Sequence, residues 1–281
     1  MEQVPDVFGR GSGVVRVVGG REILEVEDEY EHVEAGVEYW IENQPQEDDG
    51  SEEFVELLEL LNTSYGTHCH CSDSCQACLL GGSYTSCGNE LVLARNQDVI
   101  FECSEDCHCQ PTCWNRLVQF GPRKNLEIKS SLLVPNQLGV FTVEPIPRGA
   151  FICEYAGEIL TRPEAEKRNR FNDTTQKKNY VLCLNELSSD SLHQSQTFID
   201  PERRGNIGRY LNHGCDPNCR TVSVHIGNPP PRIGIFARQY IPPGTELLFD
   251  YAGGQPSGTG STRCLCGAPS CRGWLPCQQQ Y

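Results

Sequence analysis

The chain has 281 residues, with 38 acidic against 23 basic side chains (formal net charge −15) and 17 cysteines. No run of 18 apolar residues occurs, so no helical membrane span is expected, and the acidic balance argues against a nucleic-acid backbone as the main ligand. The N-terminus, MEQVPDVFGRGSG, lacks the basic-then-apolar pattern of a secretory signal, so the cysteines are expected in a reducing compartment, where an odd number of thiols points to metal rather than to disulfides.

The charge is uneven along the chain. Residues 1–60 hold 18 Asp/Glu and 3 Lys/Arg, whereas residues 61–281 hold 20 of each. Such a segment suits a basic partner such as a Lys/Arg-rich tail, and it equally suits a solvated, partly disordered stretch. Within it, residues 1–20 read as flexible. Residues 36–41 alternate Val37, Tyr39 and Ile41 as a short strand would. Residues 44–51 read as a loop and residues 54–61 as a short helix.

Nine cysteines then fall in 45 residues: Cys69, Cys71, Cys75, Cys78, Cys87, Cys103, Cys107, Cys109 and Cys113. The segment has almost no apolar periodicity, so it cannot build a core and needs another crosslink. Cysteines two apart rarely bond each other, and zinc–thiolate coordination fits better. Separate tetrahedral sites would use thiolates in fours and leave one over. Three zincs need twelve ligand positions, which nine thiolates supply if three of them bridge. The residues by themselves allow this cluster without requiring it.

From Leu138 the pattern is that of a β-rich domain. Strands are expected at residues 139–143, 151–155, 180–184, 197–200, 233–237 and 246–251. Thr161-Arg162-Pro163-Glu164 is a capping box that opens a helix to about Arg170. Residues 227–232 read as a turn and residues 253–261 as a flexible linker. Cys264, Cys266 and Cys271 follow. Three thiolates are one short of a tetrahedral site, and Cys215 is the natural fourth. Cys153 and Cys183 lie in apolar strands as ordinary buried cysteines.

The densest motif is residues 205–219, GNIGRYLNHGCDPNC. Its Asn-His pair offers both donors and acceptors, and its glycines and Asp-Pro force a turn directly afterwards. Gly205-Asn206, Arg209, Asn212-His213, Cys215 and Pro217-Asn218 resemble the core motif of the SET-domain protein-lysine methyltransferases, with Gly214 in place of the usual Ser. Glu154-Tyr155-Ala156-Gly157-Glu158 and Glu246-Leu247-Leu248-Phe249-Asp250-Tyr251 resemble further motifs of that family, in the right order. The nine-cysteine stretch resembles its pre-SET module, which carries a three-zinc cluster. The C-terminal cysteines resemble its post-SET module, in which they and the cysteine of the Asn-His motif bind a fourth zinc. The resemblance covers about residues 61–275 and points to the heterochromatin-type histone methyltransferase subfamily. It implies a mainly β SET-domain fold with small sheets and a pseudoknot-like core. The organisation expected is an acidic segment (1–60), pre-SET (61–120), SET (121–254) and post-SET (255–281).

The activity this resemblance implies is methyl transfer from S-adenosylmethionine to a lysine ε-amine. Tyr251 matches the catalytic tyrosine, Tyr155 a second channel tyrosine, and Phe249 the Phe/Tyr position at which Phe leaves room for more than one methyl. Arg209, Asn212, His213 and Tyr180 match cofactor contacts. The other cofactor loop, usually Gly-Trp-Gly, is Gln137-Leu138-Gly139 here, and Gln137 would be strained if its φ were positive. The resemblance further implies a histone tail or nucleosome as substrate, residence in the nucleus on chromosomes, no membrane association, and room for further domains after Tyr281. The alternatives are a catalytically weak scaffold that binds chromatin partners and a methyltransferase for a non-histone protein.

Overall fold

The computed structural model describes residues 2–4, 12–18, 21–27, 30, 34–63, 69–71, 75, 82–109, 113–175, 177–187, 194–252 and 259–276. The architecture is mainly β, with several small sheets rather than one large one. A four-stranded sheet runs Phe151–Glu154, Asn228–Ala237, Cys219–Ile226, Val99–Glu102, the last strand being parallel to its neighbour. A second sheet orders Leu182–Leu187, Gln194–Gly205, Gly157–Leu160 and Gln44–Pro45. Every residue of Phe151–Glu154 and Gly157–Leu160 is buried, as expected of strands covered on both faces. The main core gathers Ile152, Ile199, Ile207, Leu211, Ile235 and Leu247 between the sheets. No helix among the described residues is long and apolar enough to cross a membrane.

Four expectations change. The turn read at 227–232 reduces to Gly227, whose φ of +67° reverses the chain, and the strand Asn228–Ala237 begins at once. Pro229–Pro231 fall beside a register shift between Val224 and Ile226, where the ladder does not need their missing N–H groups. Second, only Leu248–Phe249 of residues 246–251 is strand. This segment changes partners along its length: Glu246 bridges Phe141, Leu247 N donates to Val140 O (2.8 Å), and Leu248 pairs with Asn212. Third, the helix capped by Thr161 runs Arg162–Thr175, beyond Arg170. Part of the expected linker, from Thr259, is strand (Thr259–Arg263), and residues 253–258 lie outside the described residues.

The N-terminal region departs furthest from its reading. Residues 1–20 read as flexible, yet Glu2–Val4 and Ser12–Val18 are strands that join Arg21–Glu27 in an antiparallel sheet. The Val-rich stretch before Gly19-Gly20 and the alternating one after it carry a hairpin signal that composition alone hides. Further on, Glu38–Tyr39 and Gln44–Pro45 add as short parallel strands to the second sheet. Trp40 N donates to Gly205 O (2.7 Å) and Gln46 N to Ile159 O (2.9 Å). The helix Glu52–Asn62 is capped by Ser51, whose hydroxyl accepts from Phe54 N (3.1 Å), and it packs Leu57 and Leu61 on the core.

The acidic side chains of this region serve the core's arginines. Arg204 pairs with Glu38 (2.9 Å) and Glu47 (2.8 Å), Arg232 with Glu42 (2.9 Å), and Arg209 with Glu34. Asn43 donates to Glu154 Oε1 (2.6 Å) and accepts from Gly157 N (3.0 Å). Burial pushes the Glu154 carboxyl up to about 7, against the pull of Arg232. The partner glutamate of that motif, Glu158, meets Arg168 (2.8 Å), which also holds Asp200 (2.7 Å). Both glutamates are therefore structural. Replacing Asn43 with Ala removes two bonds to buried groups and should cost about 1–3 kcal/mol. Urea denaturation of the variant checks this; an unchanged midpoint would mean that the acidic segment does not brace the core.

Candidate active site

The site is built on two very short strands. Asn212–His213 runs parallel to Leu248–Phe249, with Asn212 opposite Leu248 and His213 opposite Phe249. Backbone pairing over two residues is too little to hold such strands, and side chains complete the join. Asn218 Nδ2 donates to Glu246 O (2.8 Å), and its Oδ1 accepts from Leu248 N (2.8 Å). Upstream, Asn206 caps the 3-10 turn Ile207–Tyr210 by accepting from Gly208 N (2.8 Å). Gly208 must be glycine: a Cβ there would stand 2.7 Å from Glu154 O. The Gly-Asn and Asn-His halves of the motif thus lean on the two other motifs read from the sequence.

Three aromatic residues converge beside this join. The Phe249 ring lies 4.9 Å from Tyr251 and 5.9 Å from Tyr155, centroid to centroid. The Tyr251 hydroxyl donates to Leu211 O (2.9 Å), and its backbone N–H donates to His213 Nδ1 (3.2 Å). The Tyr155 hydroxyl donates to Tyr180 O (2.5 Å). Burial, followed by neighbouring tyrosines, pushes both phenols well above their ordinary value, so they act as neutral hydroxyls and not as bases. Burial lowers His213 to about 4, opposed by Asp250 and reinforced by Arg272, which leaves its ring neutral.

The residues read as cofactor contacts form two adjoining groups. In the first, Asn212 Nδ2 donates to Leu138 O (2.9 Å), and Gly139 packs so tightly that a Cβ would fall 2.4 Å from Glu246 Oε1. Gln137 does not have a positive φ. The left-handed residue of the loop is Asn136 (φ 58°), a residue type that tolerates that conformation. The Gly-to-Gln departure therefore carries no backbone strain. In the second group, Arg209 is buried, stacks on Tyr180 (4.8 Å) and Tyr210 (4.9 Å), and donates from Nε to Pro201 O (3.0 Å).

Sequence reasoning misses the residue that ties the first group together. Buried Glu246 accepts from Asn212 Nδ2 (2.9 Å), Ser131 Oγ (2.8 Å) and Leu132 N (3.0 Å), and so joins the loop, the Asn-His strand and the Phe-Asp-Tyr segment. A charged residue opening an otherwise apolar motif is the signal that could have found it. Asn218, named only as a motif residue, and Arg272 are not anticipated as parts of the site either. Arg272 reaches from the C-terminal cysteines to Asp250 (2.6 Å) and to His213 Nε2 (3.4 Å).

Two groups of thiols stand close enough to share metal. Cys215, Cys264, Cys266 and Cys271 have all four sulfurs within 4.8 Å of one another, as do Cys69, Cys75, Cys103 and Cys109. Zinc–sulfur bonds of about 2.3 Å place tetrahedral sulfurs about 3.8 Å apart, and Cys215–Cys264 is 3.7 Å and Cys69–Cys103 4.0 Å. Both sets fit zinc. Cys107 and Cys113 are buried in the same N-terminal cluster and Cys71 packs against it. Cys78 lies outside the described residues, and Cys87 is exposed at the end of the hairpin strand Tyr84–Cys87. Cys75→Ser and Cys103→Ser should each lower the zinc content by at least one ion per chain. Elemental analysis of the purified variants checks both.

The comparisons with known proteins agree with this geometry. A profile described as the SET domain matches residues 137–252. "Probable histone-lysine N-methyltransferase set-23" of Caenorhabditis elegans is 39% identical over 218 residues, covering 74% of this chain and 86% of the relative. The crystal structure of the methyltransferase domain of human histone-lysine N-methyltransferase SETMAR superposes with a TM-score of 0.69 at 28% identity, covering 94% of this chain and 98% of that one. KRYPTONITE, in complex with mCHH DNA, an H3(1-15) peptide and SAH, superposes at 0.65 with 25% identity over 97% of this chain and 55% of its own. The motifs in sequence order, the Asn-His join and a relative matched over most of its length have one common explanation: this chain belongs to the SET-domain family of protein-lysine methyltransferases.

Proposed function

We propose that this chain is a histone-lysine N-methyltransferase that uses S-adenosylmethionine and works on chromatin in the nucleus. The observation that carries the reading is the convergence of Tyr155, Phe249 and Tyr251 on the Asn212–His213 join. The names of set-23 and SETMAR, and the H3 peptide and SAH bound to KRYPTONITE, support the substrate and the cofactor. S-adenosylmethionine, when bound, supplies a methyl group already activated by sulfonium charge. Gln137, Leu138, Gly139, Tyr180, Arg209, Asn212 and His213 are the residues proposed to hold it.

What remains for the protein is to bring a neutral amine into line. A lysine in water keeps its proton to a pKa of about 10.4. Among buried aromatic rings the ammonium loses hydration and its pKa falls. Tyr251 is proposed as the hydroxyl that orients the amine. Its oxygen keeps acceptor capacity while its proton is engaged by Leu211 O, and its raised pKa suits positioning and not proton abstraction. Zinc on the two thiolate sets is structural, since all-thiolate ligation leaves no open position for chemistry. The proposed modules are pre-SET at 61–120, SET at 121–254 and post-SET at 255–281. A pre-SET cluster of three zincs needs nine thiolates with three bridging. The nine proposed are Cys69, Cys71, Cys75, Cys78, Cys87, Cys103, Cys107, Cys109 and Cys113, and the sulfurs of Cys69, Cys75, Cys103 and Cys109 lie within 4.8 Å of one another.

The test is incubation of zinc-replete protein with labelled S-adenosylmethionine and mixed core histones. Label should appear on a histone. Tyr251→Phe should lower the rate about a hundredfold or more, with cofactor binding kept. Cofactor binding without label on any histone would overturn the reading in favour of a binding scaffold or a non-histone substrate. Phe249→Tyr adds a hydroxyl where the channel is fully buried, and mass spectrometry of the product should show a shift from higher states to monomethyl-lysine.

A further inference from the structure

Four arginines that play no part in the site line one cleft of about 190 Å³: Arg95, Arg148, Arg220 and Arg238. They come from four places in the chain. Arg95 follows the strand Glu90–Leu93, Arg148 precedes Phe151–Glu154, Arg220 lies in Cys219–Ile226, and Arg238 follows Asn228–Ala237. Backbone bonds fix these places relative to one another: Leu93 N donates to Gly149 O (2.8 Å), Gly149 N to Ala237 O (2.8 Å) and Arg238 N to Asn218 O (2.8 Å). Gly149 has a φ of +82°, and a Cβ there would stand 3.2 Å from Leu93 N, so the turn that presents Arg148 is fully specified.

The cleft has too few negative charges for its positive ones. Arg220 pairs with Asp98 (3.0 Å) and donates to Gln97 O (2.8 Å). Among the described residues, Arg95, Arg148 and Arg238 have no ion pair, and all three are exposed. Four guanidiniums against one carboxylate leave an excess of three positive charges in a chain whose net charge is −15. Burial lowers the Arg220 pKa, Asp98 opposes this, and repulsion from the neighbouring Arg148 and Arg238 adds to the lowering. An anion seated among them would relieve it.

The chemistry narrows the anion. All four cations are Arg, whose planar fork binds phosphate through paired N–H groups and never loses its charge. The exposed rim suits a run of phosphates better than one enclosed ion. No aromatic residue lines the cleft, so it offers no platform for unstacked bases. We propose that this cleft grips the phosphate backbone of duplex DNA without regard to sequence, against the expectation raised by the chain's overall charge.

The experiment is fluorescence anisotropy of the full zinc-replete chain with a labelled mixed-sequence duplex across a salt series. Wild type should bind with a steep salt dependence. The triple variant Arg95→Gln, Arg148→Gln, Arg238→Gln should bind at least about tenfold more weakly and lose about 3 from the log–log salt slope, about 1 per phosphate contact. The matching Arg→Lys triple should keep the slope. Zinc content and thermal melting guard against misfolding, and Arg220 is left in place because it is half-buried and paired. Equal affinity and slope in the wild type and the Gln triple would overturn the proposal. So would tighter binding of single strands than of duplex, or polyglutamate competing as well as DNA, which would point to an acidic protein partner.

Discussion

Two strands of two residues each, lying parallel, hold the centre of this molecule. Strands so short have almost no ladder of their own, so the join depends on buried side-chain amides and a carboxylate. Asn218 binds the backbone of the opposing segment with both ends of its amide, and Asn212 reaches the cofactor-loop candidate and Glu246. Each of these polar groups is buried and each is satisfied, which is the condition under which a polar network rigidifies a core instead of weakening it. Tyr251 is aimed by its own N–H on His213 and by its hydroxyl on Leu211 O. If the join is lost, the aromatic cluster loses its frame.

The thiol sets extend the same logic of local crosslinking. Cys215 follows His213 by two residues, and its thiol group is completed by Cys264, Cys266 and Cys271. A metal held there would tie the C-terminal residues to the Asn-His strand, and Arg272 adds a charged contact to Asp250 beside Tyr251. A structural metal can therefore shape a reaction site in which it performs no chemistry. The N-terminal thiol cluster stabilises a stretch whose side chains could not have formed an apolar core.

Net charge is a poor guide to local field in this chain. Four acidic side chains of the N-terminal region are engaged by the molecule's own arginines: Glu34, Glu38, Glu42 and Glu47 meet Arg209, Arg204 and Arg232. Among the described residues, the arginines of the cleft have one ion-pair partner, Asp98. A chain can be strongly acidic in sum and present a cationic groove, because Coulomb interactions are decided over a Debye length of about 8–10 Å and not over the whole surface.

The Asn-His motif, Tyr251, Phe249, Tyr155 and the C-terminal cysteines are legible in the amino-acid sequence because their chemistry is local along the chain. A turn demands Gly and Pro, a thiolate site demands clustered Cys, and a capping box demands Thr161 and Glu164 in fixed positions. The helix Glu52–Asn62 and most strands of the central domain follow from residue pattern alone. What the chain does not disclose is non-local. Glu246 reads as one more charge at a strand's start until folding places Ser131 and Asn212 against it. The acidic segment 1–60 reads as a surface for a basic partner or as a solvated stretch until Glu34, Glu38 and Glu42 meet the arginines of residues 204–232. Four arginines spread from position 95 to 238 carry no motif at all. Local propensity and ligand spacing, both present in the sequence, specify the family chemistry and the elements that bear it. Tertiary structure alone decides which buried polar groups find partners, because that depends on distances across the fold that no spacing along the chain encodes.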